Sequence, residues 1–133
     1  GQTLELDRCA SAWLIKRFVD TSAEFRFIRD NALTAEGVTF DMPISKFRRT
    51  HNRSTFEVIA DHYRIRDEGI LKIAAIIHDC EINFWGRKEN PDARRIDAEF
   101  RGVIDLETDN QARLKESFEF FDGLLRQCKS IGE

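Results

Sequence analysis

The sequence predicts a mainly α-helical fold: a single compact domain of about five helices with a minor two-stranded β element, spanning residues 1–133. Three observations predict it. Apolar residues recur at three- and four-residue spacing through most of the chain, the period of an amphipathic helix. Helix-opening residues (Asp7, Ser54 or Thr55, Pro91, Thr108) stand just before those stretches. Alternating apolar and polar runs, the signature of strands, are confined to two short segments.

The first helix is expected over Arg8 to Val19, with Cys9, Trp13, Ile15, Phe18 and Val19 on its apolar side and Asp7 as N-cap. Phe25 to Ile28 and Val38 to Met42 read as short strands that can pair, with Asn31 to Gly37 as the loop between them. Pro43 to Arg53 is irregular and basic. A helix opened by Ser54 or Thr55 then runs to about Arg64, with Phe56, Ile59, Ala60 and Tyr63 on one face and Glu57 and Asp61 together beside it. His62 points away from Glu57. In the helix Glu68 to His78, Ile70, Leu71, Ile73, Ala74, Ala75, Ile76 and Ile77 cover most of the circumference, which predicts a central core helix. Lys72 and Asp79 form its polar strip, and His78, on the side of Leu71 and Ala74, is expected to be largely buried. Glu81 to Asn90 reads as a loop. Pro91 suits the first turn of a helix carrying Ala93, Ile96, Phe100 and Val103 or Ile104. Thr108 to Gln111 resembles a capping box for a last helix with Leu114, Phe118, Phe121, Leu125 and Cys128 on one face.

Composition narrows the function classes. A net charge of −3 with mixed signs gives no footprint for nucleic acid or an anionic membrane. No apolar run approaches the roughly 20 residues of a membrane span, and no signal-peptide pattern opens the chain. Three cysteines, Cys9, Cys80 and Cys128, lie far apart without a Cys-x-x-Cys step. That argues against a disulfide framework or thiolate zinc site and for a cytoplasmic setting.

The chemistry concentrates at two histidines. His51 precedes Glu57 by six positions, and His78-Asp79 ends the apolar helix. A buried imidazole and carboxylate are costly unless they bind each other or a ligand. Imidazoles and carboxylates converging from a loop and two helix ends suit a divalent metal, and mixed nitrogen and oxygen donors favour Mn, Fe or Zn. His51, Glu57, His78 and Asp79 are the candidate ligands. The same residues also fit a metal-free acid–base pair, or purely structural polar groups. Lys46, Arg48, Arg49 and Arg53 flank His51, and Arg8 opens the first helix. Arg8, Arg49 and Arg53 are candidates for a tetrahedral oxyanion such as phosphate, sulfate or chromate, because guanidinium groups match its geometry. The runner-up enzyme reading is an HD-type metal-dependent phosphohydrolase. It would use the His78-Asp79 pair, an upstream histidine and a later acid such as Asp97, though the spacing fits poorly. A third reading is a non-catalytic regulatory or interaction domain.

Asp7-Arg8-Cys9-Ala10-Ser11-Ala12-Trp13-Leu14-Ile15-Lys16-Arg17-Phe18-Val19-Asp20 resembles the opening of the C-terminal domain of ChrB, the chromate-resistance protein. Similar steps follow at Ala23 to Phe27, at Phe40-Asp41, and at His51 with Thr55-Phe56-Glu57. Others lie at Ile76-Ile77-His78-Asp79, at Pro91-Asp92-Ala93, at Ile96-Asp97 and at Gly102. The resemblance covers almost the whole chain. The sequence departs from the family pattern at the position of its first cysteine, at Lys16 for arginine, and at Cys80-Glu81 where an acidic segment is usual. The resemblance implies a role in chromate resistance, with chromate as a possible oxyanion ligand. It also implies an N-terminal partner domain, rhodanese-like or regulatory, from which this chain is an excised piece. With the metal site, the expected role is a cytoplasmic response to chromate or oxidative metal stress.

Overall fold

The computed structural model describes residues 6–27, 33–36, 42–43, 53–81, 92–107 and 109–131. It holds five α-helices among them: α1 Leu6–Leu14, α2 Thr55–His62, α3 Glu68–Glu81, α4 Ala93–Asp105 and α5 Asn110–Ile131. The fold class is mainly α, as the periodicity predicts. The β element has three short antiparallel strands rather than two, in the order β1 Glu24–Phe27, β2 Leu33–Glu36 and β3 Met42–Pro43. Phe25 pairs with Ala35, and Ala35 with Met42. Strand β2 lies where a loop is expected. Leu33-Thr34-Ala35-Glu36 does alternate apolar with polar, but over only four residues and with one large apolar side chain, so pairing on both edges decides its conformation.

Helix α5, with 22 residues and roughly 33 Å long, is the spine against which α1, α3 and α4 pack. An aromatic cluster joins three of these helices. Phe121 lies 5.6 Å from Trp13 and 5.7 Å from Phe100, ring centre to ring centre. Each is almost wholly buried, where such pairs add about 0.5–1.5 kcal/mol beyond the area they cover. On α4, Ala93, Ile96, Phe100 and Ile104 are buried as the spacing predicts. On α5, Leu114, Phe121, Leu125 and Cys128 are buried. The small sheet is tied to the spine by Phe25, edge-on to Phe118 at 5.9 Å, and by the Gln111 side-chain amide on the Phe25 carbonyl at 3.1 Å.

The first helix departs from the expected single α-helix at its end. Ile15–Val19 is a π-turn, closed by the Asp20 N–H on the Ile15 carbonyl at 2.8 Å. The Lys16 ammonium spans from it to the Ala23 carbonyl at 2.7 Å and anchors the start of β1. Helix α2 stops at His62, short of Arg64. Its end is a Schellman motif, with the Ile65 N–H on the Ala60 carbonyl and the Arg64 N–H on the Asp61 carbonyl. Arg64 takes the left-handed position, φ 56°, that glycine usually fills. Helix α3 starts on Asp67, whose carboxylate accepts from the N–H groups of Gly69 and Ile70. A Cβ on Gly69 would lie 2.6 Å from Leu125 Cδ1, so any larger residue there would have to push the Leu125 side chain aside. Asp109, just before α5, accepts from the Ala112 N–H at 3.0 Å. The capping-box start at Thr108 and the first-turn role of Pro91 lie outside the described residues, as does most of the loop expected from Glu81, itself the last residue of α3.

Helix α3 is less completely enclosed than its composition predicts. Ile70, Ile73, Ile76 and Ile77 are buried, but Leu71 is 49% exposed. The polar strip of Lys72 and Asp79 does not form as a pair of surface groups. Asp79 is 2% exposed, while Lys72 donates to the Cys128 carbonyl at 2.9 Å and lies 3.6 Å from Glu68.

Candidate functional site

The site begins with the first turn of α2. Ser54 precedes the helix in an extended conformation, and its hydroxyl accepts the Glu57 N–H at 3.1 Å. The Glu57 carboxylate reaches back, and its Oε1 accepts the Ser54 N–H at 2.9 Å, completing a capping box. The Ser-x-x-Glu spacing is readable in the sequence. It places the Glu57 carboxylate over its own helix start rather than out in solvent.

The same Oε1 lies 2.8 Å from Nδ1 of His78, which comes from the last turns of α3. An ionised carboxylate can only accept, so Oε1 accepts a hydrogen bond from the imidazole as well as from the Ser54 N–H, which assigns the proton to Nδ1. In the neutral ring the lone pair is then on Nε2, and among the described residues the two side chains make no bonds beyond those to each other and to the Ser54 N–H. The two side chains are 28% and 24% exposed, sheltered on one side and open on the other. His78 is thus half-buried rather than largely buried. The α2–α3 crossing leaves the side of Leu71 and Ala74 partly open to solvent.

The start of α2 has a further partner that the sequence pattern does not reveal. Asp7 is expected to cap its own helix, but α1 begins at Leu6, and Asp7 sits inside its first turn. Its carboxylate, 3% exposed, accepts instead from the N–H groups of Thr55 at 2.8 Å and Phe56 at 2.9 Å. The Ser11 hydroxyl lies 3.4 Å from the same group. All four orphan N–H groups at the start of α2 are therefore filled: Thr55 and Phe56 by Asp7, Glu57 by the Ser54 hydroxyl, and Ser54 by the Glu57 carboxylate. No local rule links residues 48 and 49 positions apart, so tertiary packing alone makes this cap.

Of the four proposed metal ligands, the structure brings Glu57 and His78 together. Asp79 is buried one residue further along α3, and His51 lies outside the described residues. Among the described residues no three His, Cys, Asp or Glu side chains converge to hold a metal ion by themselves.

Of the oxyanion candidates, Arg53 is half-buried beside the pair. Its guanidinium donates to the Glu57 carbonyl at 3.3 Å and lies 3.6 Å from Asp61, which also holds Arg66 at 3.2 Å. Arg8 is half-buried in the first turn of α1, engaged in contacts of its own, and Arg49 lies outside the described residues. The N-terminus of α2, a natural place for an anion, is already occupied by the Asp7 carboxylate. Asp97, the later acid of the phosphohydrolase reading, is on α4, where its carboxylate lies 3.3 Å from the Arg101 guanidinium. His62 is exposed at the far end of α2, edge-on to Tyr63, apart from Glu57 as its phase predicts.

The cysteines are all free thiols. Cys9 is fully buried, the Cys80 thiol donates to the Ala93 carbonyl at 3.3 Å, and burial pushes the Cys128 thiol up from its ordinary range. No helix among the described residues is long and apolar enough to cross a membrane.

Comparison with known proteins covers the same ground. Protein ChrB of Cupriavidus metallidurans is 28% identical over 131 residues, which is 97% of this chain. The chain spans 40% of the length of that relative. No solved structure gives a match. The family described as ChrB, C-terminal domain, matches residues 2–128, a stretch that takes in Asp7, the α2 capping box and the Glu57–His78 pair alike, and the chain belongs to that family.

Proposed function

We propose that this domain serves a chromate-resistance protein and that the Glu57–His78 pair is the heart of a divalent-cation site within it. The observation that carries the reading is the 2.8 Å contact between Glu57 Oε1 and His78 Nδ1, with Nε2 left open. A carboxylate on one imidazole nitrogen fixes the tautomer, aims the other nitrogen and raises its basicity, as around protein-bound metals. On this reading His78 is a direct ligand through Nε2, and Glu57 holds the ring. His51 and Asp79 are the further ligands proposed from the sequence, and Mn, Fe or Zn suits such donors. Arg53, one turn from the pair, with Arg8 and Arg49, would hold an oxyanion such as chromate nearby. The relative's greater length fits a further, N-terminal domain, rhodanese-like or regulatory, that would act with this one in a cytoplasmic response to chromate or oxidative metal stress.

The test is metal analysis of protein purified without chelator, followed by calorimetric titration with Zn and Mn. One equivalent is expected in the wild type. His78→Ala should abolish binding, and Glu57→Gln should weaken it by roughly 10- to 100-fold, the usual effect of losing a ligand's hydrogen-bond partner. A wild type that takes up neither metal would sink the reading. Turnover of a phosphoester with Mn, lost in Asp79→Ala, would favour the phosphohydrolase alternative instead.

A further inference from the structure

Asp7 is a buried carboxylate on α1 that reaches across to another helix. It holds the first two N–H groups of α2, Thr55 at 2.8 Å and Phe56 at 2.9 Å. One residue further on is Glu57, whose Oε1 is shared between the Ser54 N–H and His78 Nδ1. An unbroken relay thus runs from Asp7 through the α2 first turn to the Glu57 carboxylate and the imidazole of α3. Helix α2 has eight residues, too few to hold its own geometry by propensity. Where its first turn sits, and with it the Glu57 carboxylate, is set by what grips its N-terminus.

We infer that Asp7 is a positioning residue for the Glu57–His78 pair, fixing the first turn of α2 on α1 so that Glu57 keeps His78 in its Nδ1–H form. The inference rests on the reading of that pair as a ligand site. Asp7 touches no ligand in this scheme and acts through Glu57. Removing its carboxylate leaves two N–H groups of α2 without their acceptor. The first turn then loosens or shifts, and Glu57 no longer holds both the Ser54 N–H and the imidazole. Freed from the carboxylate, His78 reverts toward the Nε2–H form that unconstrained histidine side chains favour, and the lone pair moves away from the open side.

The experiment reads the tautomer directly, in metal-free protein, by long-range ¹H–¹⁵N correlation spectra of the imidazoles at a pH where they are neutral. His78→Ala assigns the signal. The wild type should show the Nδ1–H pattern, and Glu57→Ala, which removes the acceptor, should lose it. Asp7→Asn keeps the shape of the side chain but presents an amide NH₂ to one of the two N–H groups. It should lose most of the Nδ1–H signature while the protein still melts cooperatively, and Asp7→Ala should lose it fully. Ser11→Ala, which removes the 3.4 Å contact to Asp7 but neither of the Asp7 bonds to α2, should leave the signature unchanged. A folded Asp7→Asn protein with the wild-type tautomer overturns the inference. So does failure of both Asp7 variants to fold, since a role in global stability then accounts for the residue. A wild type that binds no metal, but whose Asp7→Asn variant loses the Nδ1–H signature, overturns the metal reading and leaves the positioning role standing.

Discussion

A single oxygen, Glu57 Oε1, closes the cap of α2 and holds the imidazole of α3. That economy explains why a short helix start and a histidine 21 residues later behave as one feature. At the same scale, Arg64 is held at φ 56° in the position where a Schellman motif favours glycine. A side chain there costs about 1–2 kcal/mol, and glycine returns part of that gain through its freer unfolded chain. Arg64→Gly should therefore stabilise the protein by about 0.5–1 kcal/mol, read as a higher urea midpoint with an unchanged slope. The thiols make a second residue-scale prediction. Cys9 is fully enclosed, and burial raises the Cys128 thiol, so less of it is thiolate at neutral pH. Half-buried Cys80 should react first with a thiol reagent in the native protein, and Cys9 and Cys128 only as fast as the fold opens. Much at this scale is legible in the chain. The Ser54-to-Glu57 spacing spells a capping box, and the family-like His78-Asp79 step marks the end of α3. Burial is harder to read: Asp79, next to His78, is the enclosed member of that step, because one residue along a helix turns a side chain by about 100°.

Among the elements, the helix starts are decided by carboxylates from three different distances: Glu57 from within its own helix, Asp67 from the residue before α3, and Asp7 from another helix. The Asp67 case carries a pH prediction. Burial alone would raise its carboxyl. The Lys129 ammonium at 3.2 Å and the N–H groups of Ile70 and Gly69 outweigh that, and hold it below its ordinary 3.8. A group whose folded value lies below its unfolded one contributes stability that is present above the unfolded value and lost as pH falls through the folded value. Stability from Asp67 should thus be complete above about pH 4 and fade in stronger acid. Asp67→Asn should flatten the acid limb of a stability–pH curve over that window, as measured by urea unfolding at stepped pH. Strand β2 and the π-turn of Ile15–Val19 mark where element reading stops. Neither carries more than a four- or five-residue signal of its own, and each exists because a neighbour supplies its hydrogen-bond partners or its packing.

For the whole molecule, α5 is the common surface on which α1, α3 and α4 meet, and Phe121 joins two of them, between Trp13 of α1 and Phe100 of α4. Phe121→Ala should cost about 3–5 kcal/mol, the range for emptying an aromatic-sized space in a close-packed core, measured by chemical denaturation. It stands apart from the Glu57–His78 contact, so variants that remain folded should keep the His78 tautomer. The amino-acid sequence alone determined the helical class, the apolar faces of α4 and α5, and the local cap that turns Glu57 toward its own backbone. It did so because helix period and capping chemistry act within a few residues. The tertiary structure decided the rest: that Asp7 serves α2 rather than α1, that His78 is half-open while Asp79 is enclosed, and that Glu57 meets His78 at all. Those outcomes depend on how helices cross, and crossing is set by the summed packing of a core that no short window of sequence contains.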